Sequence, residues 1–330
     1  MTSHTVPELV PERAPARGRV LAVVGPTAVG KTTVAEELAV RLGGEIVSAD
    51  SMQVYRGMDV GTAKPRPYER RVPYRCLDLV DPGTPYSAAL YQRDARAAIG
   101  DIQAEGKLPV VCGGTGLYVR ATLDDMRFPP GEAATASRER YERIAESDGA
   151  EVLHALLAQR DPASAALIHP NNVRRVVRAL EMLDAGGMSY AEQAAGSSSR
   201  ASVYDAFLLG LAMERAELYA RIEARVDAMM TAGLLAEVDR LLDAGYRDAL
   251  TASQAIGYKE LVPVLEEGAD LGEAVEAVKR ATRRYAKRQL TWFNADPRVT
   301  WLDVTELSPS ATADEAQRLV ESALHLREGE

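Results

Sequence analysis

The chain alternates short, wholly apolar runs with longer stretches whose apolar positions recur every three or four residues. Arg19-Val-Leu-Ala-Val-Val24 is the first such run and ends at a glycine, which predicts a strand buried on both faces of a parallel sheet. From Lys31 to Leu42 the residues Val34, Leu38 and Leu42 stand one helical turn apart, and Gly43-Gly44 closes that helix. Glu45-Ile-Val-Ser48 predicts a second strand, so strand, turn, helix and strand form a βαβ unit. Tyr86 to Glu105 reads as helix and Leu108-Pro-Val-Val-Cys112 as another buried strand. A Gly113-Gly-Thr-Gly116 turn then leads into a helix starting near Leu117.

From Asp124 the texture changes. Residues 132–185 hold no strand-like run, are rich in Ala, Glu and Arg, and are punctuated at Asp161-Pro162 and His169-Pro170, which predicts an all-helical insertion. Gly186 to Ser202 predicts a loop, and Ala206 to Leu211 a strand rejoining the sheet. Glu214 to Asn294 is mostly helical in pattern, broken at Gly233, Gly245 and Gly257, and Val299 to Leu302 predicts a last edge strand. The fold class is therefore α/β, a parallel-sheet core flanked by helices with an all-helical insertion domain. The expected divisions are a disordered tail over 1–18, a first part of the core over 19–123 and the insertion over 124–202. Core completion follows over 203–305, then a C-terminal helix and tail over 306–330.

Length agrees with that plan: 330 residues suit about two domains, or one large α/β domain with an insertion. With 39 Lys plus Arg against 48 Asp plus Glu, the net charge of −9 argues against coating nucleic acid through bulk charge. A polyanionic partner needs a local basic surface. Cys76 and Cys112 are the two cysteines, too few for a four-cysteine zinc module, and they fit a reducing, cytoplasmic setting. No apolar run approaches the roughly 18 to 20 residues that span a bilayer, and the proline-containing start lacks the apolar core of a signal peptide. No membrane association is expected.

Gly25, Pro26, Thr27, Ala28, Val29, Gly30, Lys31 and Thr32 fit G-x-x-x-x-G-K-(S/T) between a predicted strand and a predicted helix. Glycines let backbone N–H groups point into one concavity, and the helix N-terminus adds partial positive charge. Lys31 adds a full charge, and the Thr32 hydroxyl can complete the shell of a Mg²⁺. This is a phosphate cradle of the P-loop kind. The strand that would carry an acidic metal ligand in an ordinary NTPase runs instead into Gly113-Gly114.

Asp50 is the acid at a matching strand end, at the carboxyl edge where doubly wound folds place their sites. It reads as a general base or metal-linked acid, or as the cap of the following turn. The polar loop from Asp50 to Pro65 can read a base edge through Ser51 and Gln53, while Tyr55 to Lys64 also suits a solvated connection. Thr115 in the Gly113–Gly116 turn could hold a second anion or serve packing alone.

Two basic clusters stand out against the acidic mean. Arg174, Arg175 and Arg178 lie on one helical stretch whose Val173, Val176, Val177 and Leu180 turn inward. Lys279, Arg280, Arg283, Arg284, Lys287 and Arg288 put six cations in ten residues, followed by Trp292 and Phe293. Cations for phosphates and aromatic faces for unstacked bases suit RNA; a solvated helix with core aromatics has the same pattern. Arg221 and Arg225, one turn apart, could reach shared phosphates or pair with Glu217 and Glu223.

As an ordered set these motifs, with Gly57 to Pro65, Gly113 to Tyr118, Gln254 to Lys259 and Lys287 to Trp292, resemble the bacterial tRNA dimethylallyltransferase family over roughly residues 19 to 303. The resemblance implies a P-loop NTPase-like core that moves a dimethylallyl group from its diphosphate to N6 of the adenosine 3′-adjacent to the anticodon. The tRNAs would be those reading codons that begin with U. The same resemblance gives Asp50 as general base, with Lys31 and Arg225 at the leaving diphosphate and Gly25 to Thr32 as its cradle. It gives Asp50, Ser51, Met52 and Gln53 as target-base contacts, and Thr115 and Arg138 as further contacts near tRNA. Arg174, Arg175 and Arg178; Gln254, Ala255, Ile256, Gly257, Tyr258 and Lys259; and Lys287, Arg288, Gln289, Thr291 and Trp292 match tRNA-contacting segments, with the insertion gripping the anticodon stem-loop. Expected partners are that stem-loop and dimethylallyl diphosphate, with Mg²⁺ as cofactor and a monomer needing no obligate protein partner. From the residues alone, a P-loop small-molecule kinase, a free-adenylate isopentenyltransferase and a non-enzymatic RNA-binding protein remain competing readings. None of the three uses both the cradle and the basic helix.

Overall fold

Each long apolar run folds as a strand of one sheet. The computed structural model describes residues 18–126, 128, 136–186, 189–198, 201–249 and 251–325, so of the tail expected over 1–18 all but Gly18 lies outside the described residues. In chain order the core comprises β1 (Arg19–Val24), α1 (Lys31–Leu42), β2 (Gly44–Ser48), β3 (Tyr74–Arg75), α2 (Ala88–Ala104), β4 (Leu108–Gly113) and α3 (Gly116–Leu123). A lobe of five helices follows: α4 (Ala136–Ser147), α5 (Ala150–Arg160), α6 (Pro162–Leu167), α7 (Val173–Asp184) and α8 (Tyr190–Ser198). The chain then returns through β5 (Asp205–Ala212), α9 (Arg215–Thr231), α10 (Leu234–Asp243), α11 (Val262–Glu266), α12 (Leu271–Asn294), β6 (Val299–Asp303) and α13 (Pro309–His325).

The strands are all parallel in the order β3-β2-β4-β1-β5-β6. Alternation along β1 explains its unbroken hydrophobicity: Val20, Ala22 and Val24 enter the core on one face, and Leu21 and Val23 the core on the other. The helical lobe has its own core around Tyr141, Leu153, Leu157, Val176, Val177 and Leu180. Two differences from the sequence reading stand out. The stretch expected to be loop over 186–202 contains α8, opened by a reciprocal cap in which the Ser189 hydroxyl accepts from the Glu192 amide (3.1 Å) and the Glu192 carboxylate from the Ser189 amide (2.7 Å). The two-residue β3 is too short to announce itself by period.

Both chain passages between core and lobe meet at one point. The Asp125 amide donates to the Ala201 carbonyl (2.9 Å) and the Val203 amide to the Leu123 carbonyl (2.8 Å). Between them Asp124, fully buried, accepts from Arg298 at 2.6 Å and from Arg120 at 3.1 Å, while Arg298 also holds Asp296 at 2.7 Å. Replacing Asp124 by Ala removes a fully buried carboxylate from Arg298 and Arg120 while Asp296 still holds Arg298, so a loss of about 3 kcal/mol is expected, the low end for breaking a buried pair. Urea unfolding of D124A checks it, and a loss below about 1 kcal/mol contradicts the role assigned to the pair.

Candidate active site

The turn after β1 is shaped by steric exclusion. Gly25 takes φ +141°, and a Cβ there would lie 2.6 Å from the Leu211 carbonyl oxygen. Ala28 (φ +67°) and Gly30 (φ +101°) then swing the chain into the first turn of α1. Lys31 Nζ lies inside this loop and donates to the Pro26 carbonyl at 2.6 Å. Burial pulls its pKa down to about 8; the nearby Cys112 and Asp50 oppose the fall and Arg225 adds to it. Thr32 is exposed beside it.

Two cavities meet at the carboxyl edge of the sheet. One, of about 350 Å³, lies over the cradle and is lined by Lys31, Thr32, Cys112 and Arg221 among others. The other, of about 240 Å³, has a more apolar wall that includes Met52, Ile222, Val226 and Met229. Thr27, Asp50, Thr62, Arg225 and Tyr285 line both, so the acid stands at the seam. Asp50 Oδ1 accepts from the Met52 amide at 2.8 Å, which is the local turn cap, and among the described residues Oδ2 has no hydrogen-bond donor. Arg225 has no hydrogen-bonding or ion-pair partner among the described residues, and burial lowers its pKa against the pull of Asp50. Burial, then the charge of Asp50, pushes the Tyr285 hydroxyl up to about 12. Burial likewise pushes the Cys112 thiol up to about 12, which removes it as a nucleophile near neutral pH.

The loop from Tyr55 to Lys64 is not a solvated connection. Buried Lys64 donates to the Tyr55 carbonyl (2.8 Å), Asp59 (2.7 Å) and Asp78 (2.6 Å). Buried Glu237 accepts from the amides of Asp59 (3.1 Å), Val60 (2.9 Å) and Gly61 (3.1 Å) and from the Tyr258 hydroxyl (2.7 Å). A carboxylate with four donors is fully satisfied, and here it fixes the cavity wall formed by Gly61, Thr62 and Tyr258. Glu237 carries no sequence signal, because its amide partners lie 176 to 178 positions away and Tyr258 21 positions away.

The structure gathers the residues singled out in the sequence into two places. Thr27, Ala28, Gly30, Lys31 and Thr32, Asp50 to Gln53, Arg225, Gln254 to Lys259 and part of α12 line the paired cavities, Gly25, Pro26 and Val29 complete the P-loop behind them, and Thr115 bonds Ser51. Arg138, Arg174, Arg175 and Arg178 lie on the helical lobe instead, with Arg138 bonded to Glu181 at 2.9 Å, Arg178 3.8 Å from Glu181, and Arg174 and Arg175 exposed. Four of these groups take a definite local form. Gln53 is anchored within the protein: its Oε1 accepts from the Ser48 hydroxyl (2.8 Å) and its Nε2 donates to the Thr62 carbonyl (3.2 Å). Tyr258 and Ala255 are buried, so the segment Gln254 to Lys259 meets the cavity without offering every side chain to it. Arg221 bonds Glu217 at 3.1 Å and Glu223 is taken by Arg283 at 2.6 Å, which leaves Arg225 as the member of the α9 pair without a carboxylate partner. Gln289 is buried on the inner side of α12, whereas Lys287, Arg288, Thr291 and Trp292 line an open groove with Arg120. The aromatic pair also divides: Trp292 is 41% exposed and Phe293 is core.

This arrangement of cradle, acid and basic helix has known counterparts. A family model described as IPP transferase matches residues 53–296, and one described as isopentenyl transferase matches residues 18–76. The chain belongs to the IPP transferase family. A tRNA dimethylallyltransferase of Geobacillus kaustophilus is 47% identical over 310 residues, 93% of this chain and 98% of that protein. One from Exiguobacterium sibiricum is 52% identical over 291 residues, 88% of this chain and 91% of that protein. Among solved structures, the tRNA isopentenylpyrophosphate transferase of Bacillus halodurans superimposes with a TM-score of 0.71 at 42% identity, covering 95% of this chain and 99% of that one. A eukaryotic dimethylallyltransferase acting on tRNA gives 0.76 at 29% identity, covering 91% and 77%. The isopentenyl transferase match spans the P-loop and Asp50 and the IPP transferase match the helical lobe and α12, so the two together cover every part of the paired cavities.

A lysine held near 8 loses its charge as pH rises through that value, while an anion in the cradle favours the ammonium. Inorganic pyrophosphate should therefore bind several-fold more weakly at pH 9 than at pH 7, and K31R should flatten that dependence. Calorimetric titration across this range checks both, and a pH-independent affinity in the parent protein contradicts the assignment of Lys31.

Proposed function

We propose that this chain transfers the dimethylallyl group of dimethylallyl diphosphate to the exocyclic N6 amine of the adenosine 3′-adjacent to the anticodon in tRNAs reading codons that begin with U, releasing diphosphate. The observation that carries this reading is the seam: a diphosphate-sized cradle and a second, more apolar cavity share Asp50 and Arg225. A donor seated on the P-loop side and an acceptor base arriving from the other side would meet at that acid. The family relationship supplies the chemistry of the two ligands.

In the transfer, the C–O bond between the allylic carbon and diphosphate breaks as a C–N bond to the adenine amine forms. The departing oxygens keep the electron pair. The amine lone pair is delocalised into the ring, and its proton becomes acidic only as the new bond forms, so a carboxylate in reach acts late. Asp50 accepts that proton through the oxygen not bonded to Met52. P-loop amides, Lys31 and Arg225 face the charge growing on diphosphate, and their partial burial strengthens that stabilisation. Thr32 supplies one hard oxygen, and the described residues hold no cluster of three acidic or imidazole ligands. Such a donor set fits a Mg²⁺ held mainly by the diphosphate itself, where it would neutralise charge on the leaving group.

The acceptor base must leave its stack, which is easiest in a single-stranded loop. Lys287, Arg288, Thr291 and Trp292 flank the seam with cations and one aromatic face, and Arg174, Arg175 and Arg178 offer a second basic surface on the helical lobe for the anticodon stem. No helix of the described residues is long and apolar enough to cross a membrane. A cytoplasmic monomer acting on free tRNA completes the reading.

Incubation with dimethylallyl diphosphate, Mg²⁺ and unmodified tRNA, followed by nucleoside mass analysis, should give N6-dimethylallyladenosine. Absence of that product, or phosphate transfer from ATP to a metabolite, would sink the reading. D50N should lower kcat by about 100- to 10,000-fold, the usual range for general-base help, while leaving the tRNA Kd within about twofold. Charge reversal at Arg284 and Arg288 should weaken tRNA binding and flatten its salt dependence, which a gel-shift series across ionic strength measures.

A further inference from the structure

Three loops that must stay in register meet around one turn. The Gly113–Thr115 turn holds the end of β2: the Ala49 amide donates to the Cys112 carbonyl (2.8 Å), the Thr115 amide to the Ala49 carbonyl (3.2 Å), and the Ser51 amide to the Thr115 hydroxyl (3.1 Å). Asp50 lies between those anchored residues. On the other side of the turn stands Gln289 of α12, whose Nε2 donates to the Gly114 carbonyl at 2.9 Å and whose Oε1 accepts from the Thr27 amide at 2.8 Å. One buried side chain thus ties the P-loop to the turn that anchors the residues on either side of the acid. Contact is close enough to transmit small displacements: a Cβ at Gly114 would fall 2.1 Å from Gln289 Nε2, and one at Gly116 would fall 2.1 Å from Trp292.

We propose that Gln289 is a positioning residue for the transfer, fixing the separation between the diphosphate cradle and Asp50, and that it does not itself touch RNA. This deepens the transferase reading and rests on it. Gln289 spends its Oε1 on Thr27 and an Nε2 hydrogen on Gly114, and its side chain is buried, so it presents no exposed edge to a nucleotide arriving in the groove. Its neighbours Lys287, Arg288 and Thr291 face the open groove from the other side of the same helix. The bridge therefore acts on Thr27, which lines both cavities, and leaves the RNA-facing surface unchanged.

The test is steady-state kinetics of the full chain with dimethylallyl diphosphate and a tRNA anticodon stem-loop, alongside the Kd for that RNA without donor. Q289M keeps length and apolar volume but has neither hydrogen bond, so Thr27 and the turn lose their common tie. Its kcat should fall about 10- to 100-fold, the scale of an ångström-level misplacement, with the RNA Kd within about twofold and the donor KM moving less than kcat. Q289E keeps an acceptor for Thr27 but sets an oxygen against the Gly114 carbonyl, so the same loss of kcat is expected; it decides the matter should Q289M fail to fold. A weakened RNA Kd with an unchanged kcat would make Gln289 an RNA contact and overturn the proposal. Unchanged kinetics in a folded variant would overturn it as well, the transferase reading still standing on the active parent. An inactive parent removes the transferase reading and this proposal together, so the two failures are told apart.

Discussion

Missing side chains at Gly113, Gly114 and Gly116 decide how near the P-loop, the acid and the basic helix approach one another. A Cβ at Gly113 would lie 2.2 Å from the Ala49 carbonyl oxygen, and the equivalent atoms at Gly114 and Gly116 would collide with Gln289 and Trp292. With hydrogen in place of those carbons, β2, β4 and α12 close to hydrogen-bonding distance at the carboxyl edge of the sheet. The paired cavities are a product of that approach. A side chain at Gly113 or Gly114 moves a wall of the cradle cavity, and one at Gly116 displaces Trp292 in the neighbouring groove.

Charge is distributed to serve the same place. An acidic chain with a net charge of −9 gathers Lys31, Arg225, Arg288 and Lys287 around cavities at one sheet edge, with Asp50 as the carboxylate at their seam. Carboxylates near the site that would compete for those cations are already engaged: Glu237 by three amides and a tyrosine, Glu223 by Arg283, and Asp59 and Asp78 by Lys64. Local satisfaction of the acids keeps the basic groups available to a polyanion despite the acidic mean.

Legibility in the sequence followed the range of the interactions. The βαβ start was readable because an apolar run, a glycine turn and a 3.6-residue period are local signals, and β1, α1 and β2 lie where those signals put them. Helix α8 was readable in principle from Ser189 and Glu192, but the glycine and serines of its last turn pointed to loop. Asp50 and Arg225 could be named from motifs, while their meeting at a seam depends on strand order. Tyr285 sat inside a cluster read for its cations, and its place beside Asp50 emerges only when α12 crosses the sheet edge. Gln289 is the plainest case: four residues from Tyr285 on a helix, it shares that inward face, and the neighbouring cations obscured the periodicity.

The bond from Lys31 to the Pro26 carbonyl bears on which anions the cradle admits. At rest the ammonium already has an acceptor, so an arriving ion competes with a neutral oxygen held in place by the chain. A chloride or other singly charged ion gains little by that exchange after giving up its own hydration. A polyphosphate brings several oxygens and more than one negative charge, and it can engage Arg225 and the helix end at the same moment. Self-capping of the lysine would thus set a threshold that favours multivalent phosphate over common salt.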